Sequence, residues 1–456
     1  MRLARRSLLA LQIFTWVVVA CGPVISPSNP PGTPRTPDML SSGTTVPVST
    51  DAAFNVGTDT PTPADQGPVV GSCAAPPESG IDLPGVIGLA RAWKNGDDGS
   101  ARNNRQEGFL IGGTPIQKRV LLGDMTGVQP IGFSPDEQTF AFLSEGESDT
   151  DPQELHLLKP DGGERVVIPE QLTTSEYWPV IGSWAFARWI NNSLLIVMVW
   201  YPELTEGPRY PYSLGIFDPF GEMWDQDILQ GLPNWDASTV PFISPDLTRA
   251  VYVASREGGI GTDLVLWDLS RNRELTRRED YPAGMLISGV RAYGLSNVAA
   301  WSPDSSSFFY PDFLGNPGDS ELVTHVIDRE GSARHTIGPD PSIGGPVGIG
   351  DWSADARYIA YMNSPTNLAI YDVSERKLHL VCENLEDPVG TSWRLEVLWS
   401  PDSAFVAYAP IYDGQRFLEV LEVTTGRRFR VVEVNAFFPA GWVSDLRWLD
   451  PPSGDT

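Results

Sequence analysis

Histidine occurs four times and cysteine three times in 456 residues, and Lys plus Arg, at 32, fall far short of the 58 Asp and Glu. Each scarcity removes a class of function. A net charge of −26 leaves no basic stripe to neutralise a phosphate backbone, so nucleic acid is excluded as a partner, and the folded part has no electrostatic pull toward anionic lipid. Three cysteines have nothing of a zinc site in their spacing. The chain holds no Gly-X-Ser-X-Gly elbow, no His-Glu-X-X-His and no P-loop. His156, His325, His335 and His379 fall in or beside expected strands, where packing is their simplest role. Acidic loops such as Glu145 to Asp151 resemble polar hairpin loops more than calcium sites. No metal, no cofactor and no catalytic residue is therefore expected, and the chain reads as a non-enzyme.

What the chain has is repetition. Phe133-Ser134-Pro135-Asp136, Ile243-Ser244-Pro245-Asp246, Trp301-Ser302-Pro303-Asp304, Trp352-Ser353-Ala354-Asp355 and Trp399-Ser400-Pro401-Asp402 share one pattern. The aromatic or apolar residue ends a strand, and Pro pre-sets φ for a turn that Ser and Asp stabilise with backbone hydrogen bonds. Each turn leads into a run such as Ile359-Ala360-Tyr361 or Val406-Ala407-Tyr408, apolar on both faces, with a small residue that lets neighbouring sheets approach. A second hairpin follows in every unit, giving four strands. The turn aspartates from Asp246 to Asp402 lie 58, 51 and 47 residues apart, within the range of a four-stranded blade. The gap between Asp136 and Asp246 is twice that and accommodates a degenerate unit around Trp189. At the end, Leu446 to Asp450 begins one more unit, whose missing strands are supplied by Val86 to Ala90, Phe109 to Ile111 and Arg119 to Leu122.

These units resemble the PD40, or WD40-like, repeats of the TolB family, whose Trp-Ser-Pro-Asp-Gly consensus is approached at Trp301 to Asp304 and Trp399 to Asp402. The resemblance implies an all-β fold, a β-propeller of seven four-stranded blades closed by pairing the two ends of the domain, with six or eight blades as the alternatives. The final Gly of the consensus is replaced by Glu137, Leu247, Ser305, Ala356 and Ser403, which predicts right-handed αR turn geometry at those positions.

The amino terminus speaks to location. Three arginines within residues 1–6 precede an apolar run, Ser7 to Ala20, too short for a membrane span, and Val18-Val19-Ala20-Cys21 resembles a bacterial lipobox. Residues 1–20 are expected to be a signal peptide, with Cys21 lipidated and the protein anchored in a bacterial envelope, facing the periplasm or the exterior. Residues 21–72, rich in Pro, Ser and Thr, cannot bury enough apolar surface to fold and serve as a tether. Residues 73–456 form the propeller domain. Cys73 and Cys382 remain as a pair; a disulfide is one reading, and a free buried Cys382 the simpler one.

The unit around Trp189 departs most from the repeat. It gathers many aromatics, which either are core and cover an irregular blade or mark a recognition surface; in the second reading Tyr201, Tyr210, Trp224 and Trp235, placed in loops between strands, are the candidate partner-binding residues. The expected function is a membrane-tethered, non-catalytic module that binds an envelope protein or peptide, with glycan also possible as ligand. The alternative is a propeller-type hydrolase or lyase acting on glycan in the central channel.

Overall fold

A computed structural model describes Pro68 and residues 77–449, apart from 95–104, 123–127, 145–153, 168–181, 201–211, 218–223, 226–231, 237–238, 240, 257–260, 283–299, 315–320, 338–349, 365–366, 383–396, 413–414 and 435–438. The chain divides into two compact units, Met1–Asp59 and Thr60–Thr456; the first lies outside the described residues. In the second, the described residues fall into seven antiparallel sheets of four principal strands.

Sheet 1 combines Pro439–Val443 from the carboxyl end with Val86–Lys94, Arg105–Gly112 and Gln117–Leu122. Sheet 2 holds Val128–Phe133, Phe140–Ser144, Glu154–Leu158 and Glu164–Val167. Sheet 3, the degenerate unit, holds Gly182–Ile190, Ser193–Trp200, Tyr212–Phe217 and Trp224–Asp225. Sheet 4 begins at Phe242–Ile243 and continues with Arg249–Ser255, Thr262–Asp268 and Arg273–Arg278. Sheet 5 is Ala300–Trp301, Ser307–Leu314, Glu321–Asp328 and Arg334–Ile337. Sheet 6 is Gly350–Trp352, Tyr358–Ser364, Asn367–Asp372 and Lys377–Cys382. Sheet 7 is Val397–Trp399, Phe405–Tyr408, Gln415–Glu422 and Arg428–Glu433, extended by Ile411–Tyr412 and, in parallel, by Glu78–Ser79. Each sheet packs on the next, and sheet 7 returns to sheet 1. This is a β-propeller.

The core lies between blades. Phe242, Val251 and Leu266 of sheet 4 interleave with Trp301, Phe308 and Tyr310 of sheet 5, and Tyr358, Ile370 and Val381 of sheet 6 with Trp399, Val406 and Leu421 of sheet 7. The mid-strand alanines Ala141, Ala360 and Ala407 are fully buried, as close approach of two sheets requires.

The repeated turn has one geometry. The Ser hydroxyl donates to its Asp at 2.5–2.6 Å in all five copies. The same oxygen accepts the backbone N–H five residues on, as at Tyr358 (2.8 Å) and Phe405 (2.9 Å). The position that the consensus gives to Gly departs from expectation. Glu137, Leu247, Ser305, Ala356 and Ser403 have φ of 58–62°, left-handed rather than αR. The hairpin is a type I turn closed by an αL residue, and its hydrogen bonds hold that conformation whatever the side chain. Ser305 and Ser403 offset part of the strain by accepting, through Oγ, the backbone N–H of Asp246 and Asp355 in the preceding blade at 3.0 and 3.1 Å.

The tryptophans of the repeat link blades. Trp189, Trp301, Trp352 and Trp399 each donate their indole N–H to the preceding sheet's innermost strand, at Gly132, Phe242, Ala300 and Asp351, over 2.9–3.2 Å. The acceptor is always the residue immediately before the equivalent aromatic or apolar position.

Closure differs in detail from the sequence reading. The closing strand is Pro439–Val443, with Ile87 opposite Trp442, while Leu446–Leu449 forms a 3-10 turn rather than a strand. Gly441 permits the approach of sheet 2, since a Cβ there would stand 2.9 Å from the Phe133 ring. The turn then inserts Trp448, 1% exposed, edge-on to Phe133, with its indole donating to the Glu137 carbonyl at 2.8 Å. A Trp that reads as the start of a strand is instead the plug between the first two sheets.

Candidate functional site

The innermost strand of each sheet exposes one backbone edge to the ring's axis. Just before the repeat aromatic, on the face turned to the following sheet, stand Gly132, Arg188, Phe242, Ala300, Asp351, Leu398 and Gly441. Five are uncharged. Arg188 in sheet 3 and Asp351 in sheet 6 carry opposite charges in an otherwise apolar layer.

Asp351 reaches into sheet 7, where Oδ2 accepts the Trp399 backbone N–H at 2.9 Å. Ser400 N–H pairs with Phe405 within sheet 7, so by strand alternation the Trp399 N–H points away from its sheet, toward the axis. Asp351 thus supplies a partner for an edge donor. The residue keeps partial contact with solvent, yet protein surrounds its carboxyl. This desolvation pushes its pKa up to about 7, against the pull of the two N–H groups of Trp399 and Trp352.

Arg188 lies over the Phe242 ring, 4.3 Å from its centre, and donates to the Pro241 carbonyl at 3.3 Å. Among the described residues no carboxylate pairs with it. Burial pushes its pKa down to about 10, so it remains a cation at neutral pH.

Two other buried charges among the described residues, Glu419 and Asp263, have several partners. Glu419, fully buried in sheet 7, accepts from Tyr408, Tyr412 and Arg428, each at 3.1 Å, and from Arg430 at 3.3 Å. Desolvation drives the Tyr412 phenol up to about 12, with the Glu419 charge adding to it. Asp263 is gripped by Arg277 at 2.8 Å and Arg256 at 2.7 Å. These groups hold strands together. His156 stacks on Phe142 and bonds Ser144 and Glu164, and His325 bonds Thr336 beside Asp312. Among the described residues no group of three His, Cys, Asp or Glu side chains is arranged to hold a metal ion.

The sequence candidates fare unevenly. Tyr201, Tyr210 and Cys21 lie outside the described residues. Trp224 is in the outer strand of sheet 3, paired with Phe217, not in a loop. Trp235 forms a bridge with Ala254 and packs, partly buried, on the cluster between sheets 3 and 4, so it contributes to the core rather than to a free loop; among the described residues its indole N–H has no acceptor. Cys382 is disulfide-bonded, which overturns the reading of a free buried thiol; its partner lies outside the described residues. Arg188 and Asp351 were missed. Their signal in the sequence was a charge directly before a repeat Trp, Arg188-Trp189 and Asp351-Trp352, where the other units have Gly, Ala, Leu or Phe.

No family model matches the chain, and no curated protein matches it. Solved structures do. TolB from Acinetobacter baumannii is 14% identical, with a TM-score of 0.38 over 79% of this chain and 66% of that one. Puromycin hydrolase is 14% identical, with a TM-score of 0.47 over 80% of this chain and 55% of that one. Oligogalacturonate lyase from Vibrio parahaemolyticus is 14% identical, with a TM-score of 0.44 over 79% of this chain and all of that one. The chain thus spans just under two thirds of TolB and about half of the hydrolase. At these identities the likeness concerns fold alone. It corrects one expectation: the propellers it resembles include a hydrolase and a lyase, so the reading of the chain as a non-enzyme is withdrawn.

Proposed function

We propose that the protein is an extracytoplasmic β-propeller, tethered through lipidated Cys21, that recognises a peptide or protein ligand at the channel edge and along the sheet-3 sector. The observation that carries this reading is Arg188. In a chain of net charge −26, it is a desolvated cation on the innermost strand of sheet 3, with no carboxylate partner among the described residues. Such a group suits a ligand carboxylate or a run of backbone carbonyls. Tyr201, Tyr210 and Trp224 are the proposed aromatic partners; Trp235 is set aside because it packs on the core. The signal peptide and tether support placement in a bacterial envelope.

The experiment is capture of a ligand from envelope extract by the mature protein, beside Arg188→Gln and a variant with Tyr201, Tyr210 and Trp224 changed to Ala. Ligands lost from both variants, with unfolding midpoints unchanged, support the reading; a ligand set identical for all three proteins rejects it.

Asp351 favours a second reading, a hydrolase or lyase working on glycan in the channel. A carboxyl with its pKa near 7 is suited to giving or taking a proton at an ether oxygen or a ring carbon. Turnover of acidic or neutral oligosaccharides that disappears in Asp351→Asn would establish it.

A further inference from the structure

A cavity of about 240 Å³ opens between sheets 4 and 5, away from the channel edge. Its body is apolar, built from Val251, Leu264 and Leu266 on one side and Phe308 and Ile327 on the other. Pairing places these residues on facing sides: Val251 stands opposite Leu266, and Phe308 opposite Ile327 and then Arg334. At Gly331 the two blades touch, since a Cβ there would lie 2.7 Å from the Thr276 methyl, and this contact bounds the space.

Three arginines reach the cavity, and they differ. Arg277 is neutralised by Asp263 at 2.8 Å and Glu274 at 2.6 Å. Arg278 is held by buried Asp312 at 2.9 Å, tying sheet 4 to sheet 5. Arg334, exposed at the rim, has no carboxylate partner among the described residues; it lies near Tyr310, a buried residue whose ionised form the guanidinium charge favours. An apolar slot therefore ends in one phenol and one guanidinium that no carboxylate of the described residues neutralises.

We propose that this crevice binds a small organic monocarboxylate with an apolar or aryl body, its carboxylate on Arg334 and Tyr310 and its body between Leu264, Leu266 and Phe308. The volume sets the size, on the order of ten non-hydrogen atoms. The fork of the Arg334 guanidinium matches a carboxylate in a bidentate pair, and the phenol adds a donor. The site is separate from the channel edge and does not depend on the function proposed there.

The test is calorimetric titration of the mature protein at pH 7.5 with 3-phenylpropionate, its neutral amide, and a series of straight-chain acids from four to ten carbons. The acid is expected to bind at one site with a dissociation constant below about 1 mM, and the amide at least tenfold more weakly. Arg334→Gln is expected to weaken the acid at least tenfold with an unchanged unfolding midpoint, and Arg334→Lys to retain part of the affinity. Equal binding of acid and amide to the native protein overturns the proposal, as does undiminished binding by Arg334→Gln or the absence of saturable binding by every acid. The amide comparison uses the native chain, so it decides the matter even if a variant folds poorly.

Discussion

Asp351 Oδ2 accepts the backbone N–H of Trp399 at 2.9 Å, while Trp399 returns its indole N–H to the Asp351 carbonyl at 3.1 Å. This reciprocal pair joins sheets 6 and 7 at the channel edge. It places a carboxyl with a raised pKa at one of the contacts that hold the ring together.

Stability should therefore fall as the pH rises past Asp351. Its folded pKa of about 7 lies above its ordinary 3.8, so its favourable contribution is complete below about pH 4 and is lost as the pH rises to 7. In Asp351→Asn the amide oxygen can still accept from Trp399. We expect this variant to lose the decline between pH 4 and 7 and to be more stable than the native protein at pH 8, by on the order of 2–3 kcal/mol. Denaturant unfolding at several pH values checks this.

The turn and hairpin aspartates act in the opposite sense. For Asp246, Asp304 and Asp372 burial opposes ionisation, but hydrogen bonds from Ser244, Ser302 and Ser374 and their neighbours outweigh it and hold the carboxyls below 3.8. Their contribution is present above about pH 4 and is lost as the pH falls below it. With Asp351, this predicts maximum stability near pH 4–5, measurable as the highest unfolding midpoint in a pH series.

Ala356→Gly should stabilise the protein. Ala356 has φ of 60° and makes no side-chain hydrogen bond, so Gly relieves a left-handed strain of about 1 kcal/mol. Ser305→Gly should gain less or nothing, because the Ser305 hydroxyl accepts from Asp246 in the preceding blade. The difference between the two variants in chemical denaturation tests the turn geometry.

Trp301→Phe keeps most of the ring but removes the indole donor to the Phe242 carbonyl at 2.9 Å, a buried bond. A loss of about 1–3 kcal/mol is expected, since the acceptor is left without its partner. Thermal unfolding of the variant measures it.

Much of the fold was legible because the repeat carries its own chemistry. Ser and Asp after an apolar residue define the turn, and the apolar-small-apolar run defines a strand buried on both faces. The left-handed residue was not legible. Once Gly is absent, the sequence gives no mark of φ > 0, and the hydrogen bonds that enforce it run from Ser134, Ser244 and their equivalents to residues several positions on. The closing strand was misassigned because Leu446-Arg447-Trp448 resembles Ala187-Arg188-Trp189, although Trp448 packs as a plug. At the site, aromatic abundance drew attention to Trp224 and Trp235, one in a strand and one packed, partly buried, against the core. The charges at Arg188 and Asp351 acquire meaning only when the ring aligns seven innermost strands.

The central claim, recognition through Arg188 and the sheet-3 sector, is tested most directly by measuring the affinity of the captured ligand for the native protein and for Arg188→Gln at matched stability. A loss of tenfold or more in the variant, steeper at low salt than at high salt, is the result predicted. Equal affinities at both salt concentrations would contradict it and move the ligand away from the channel edge.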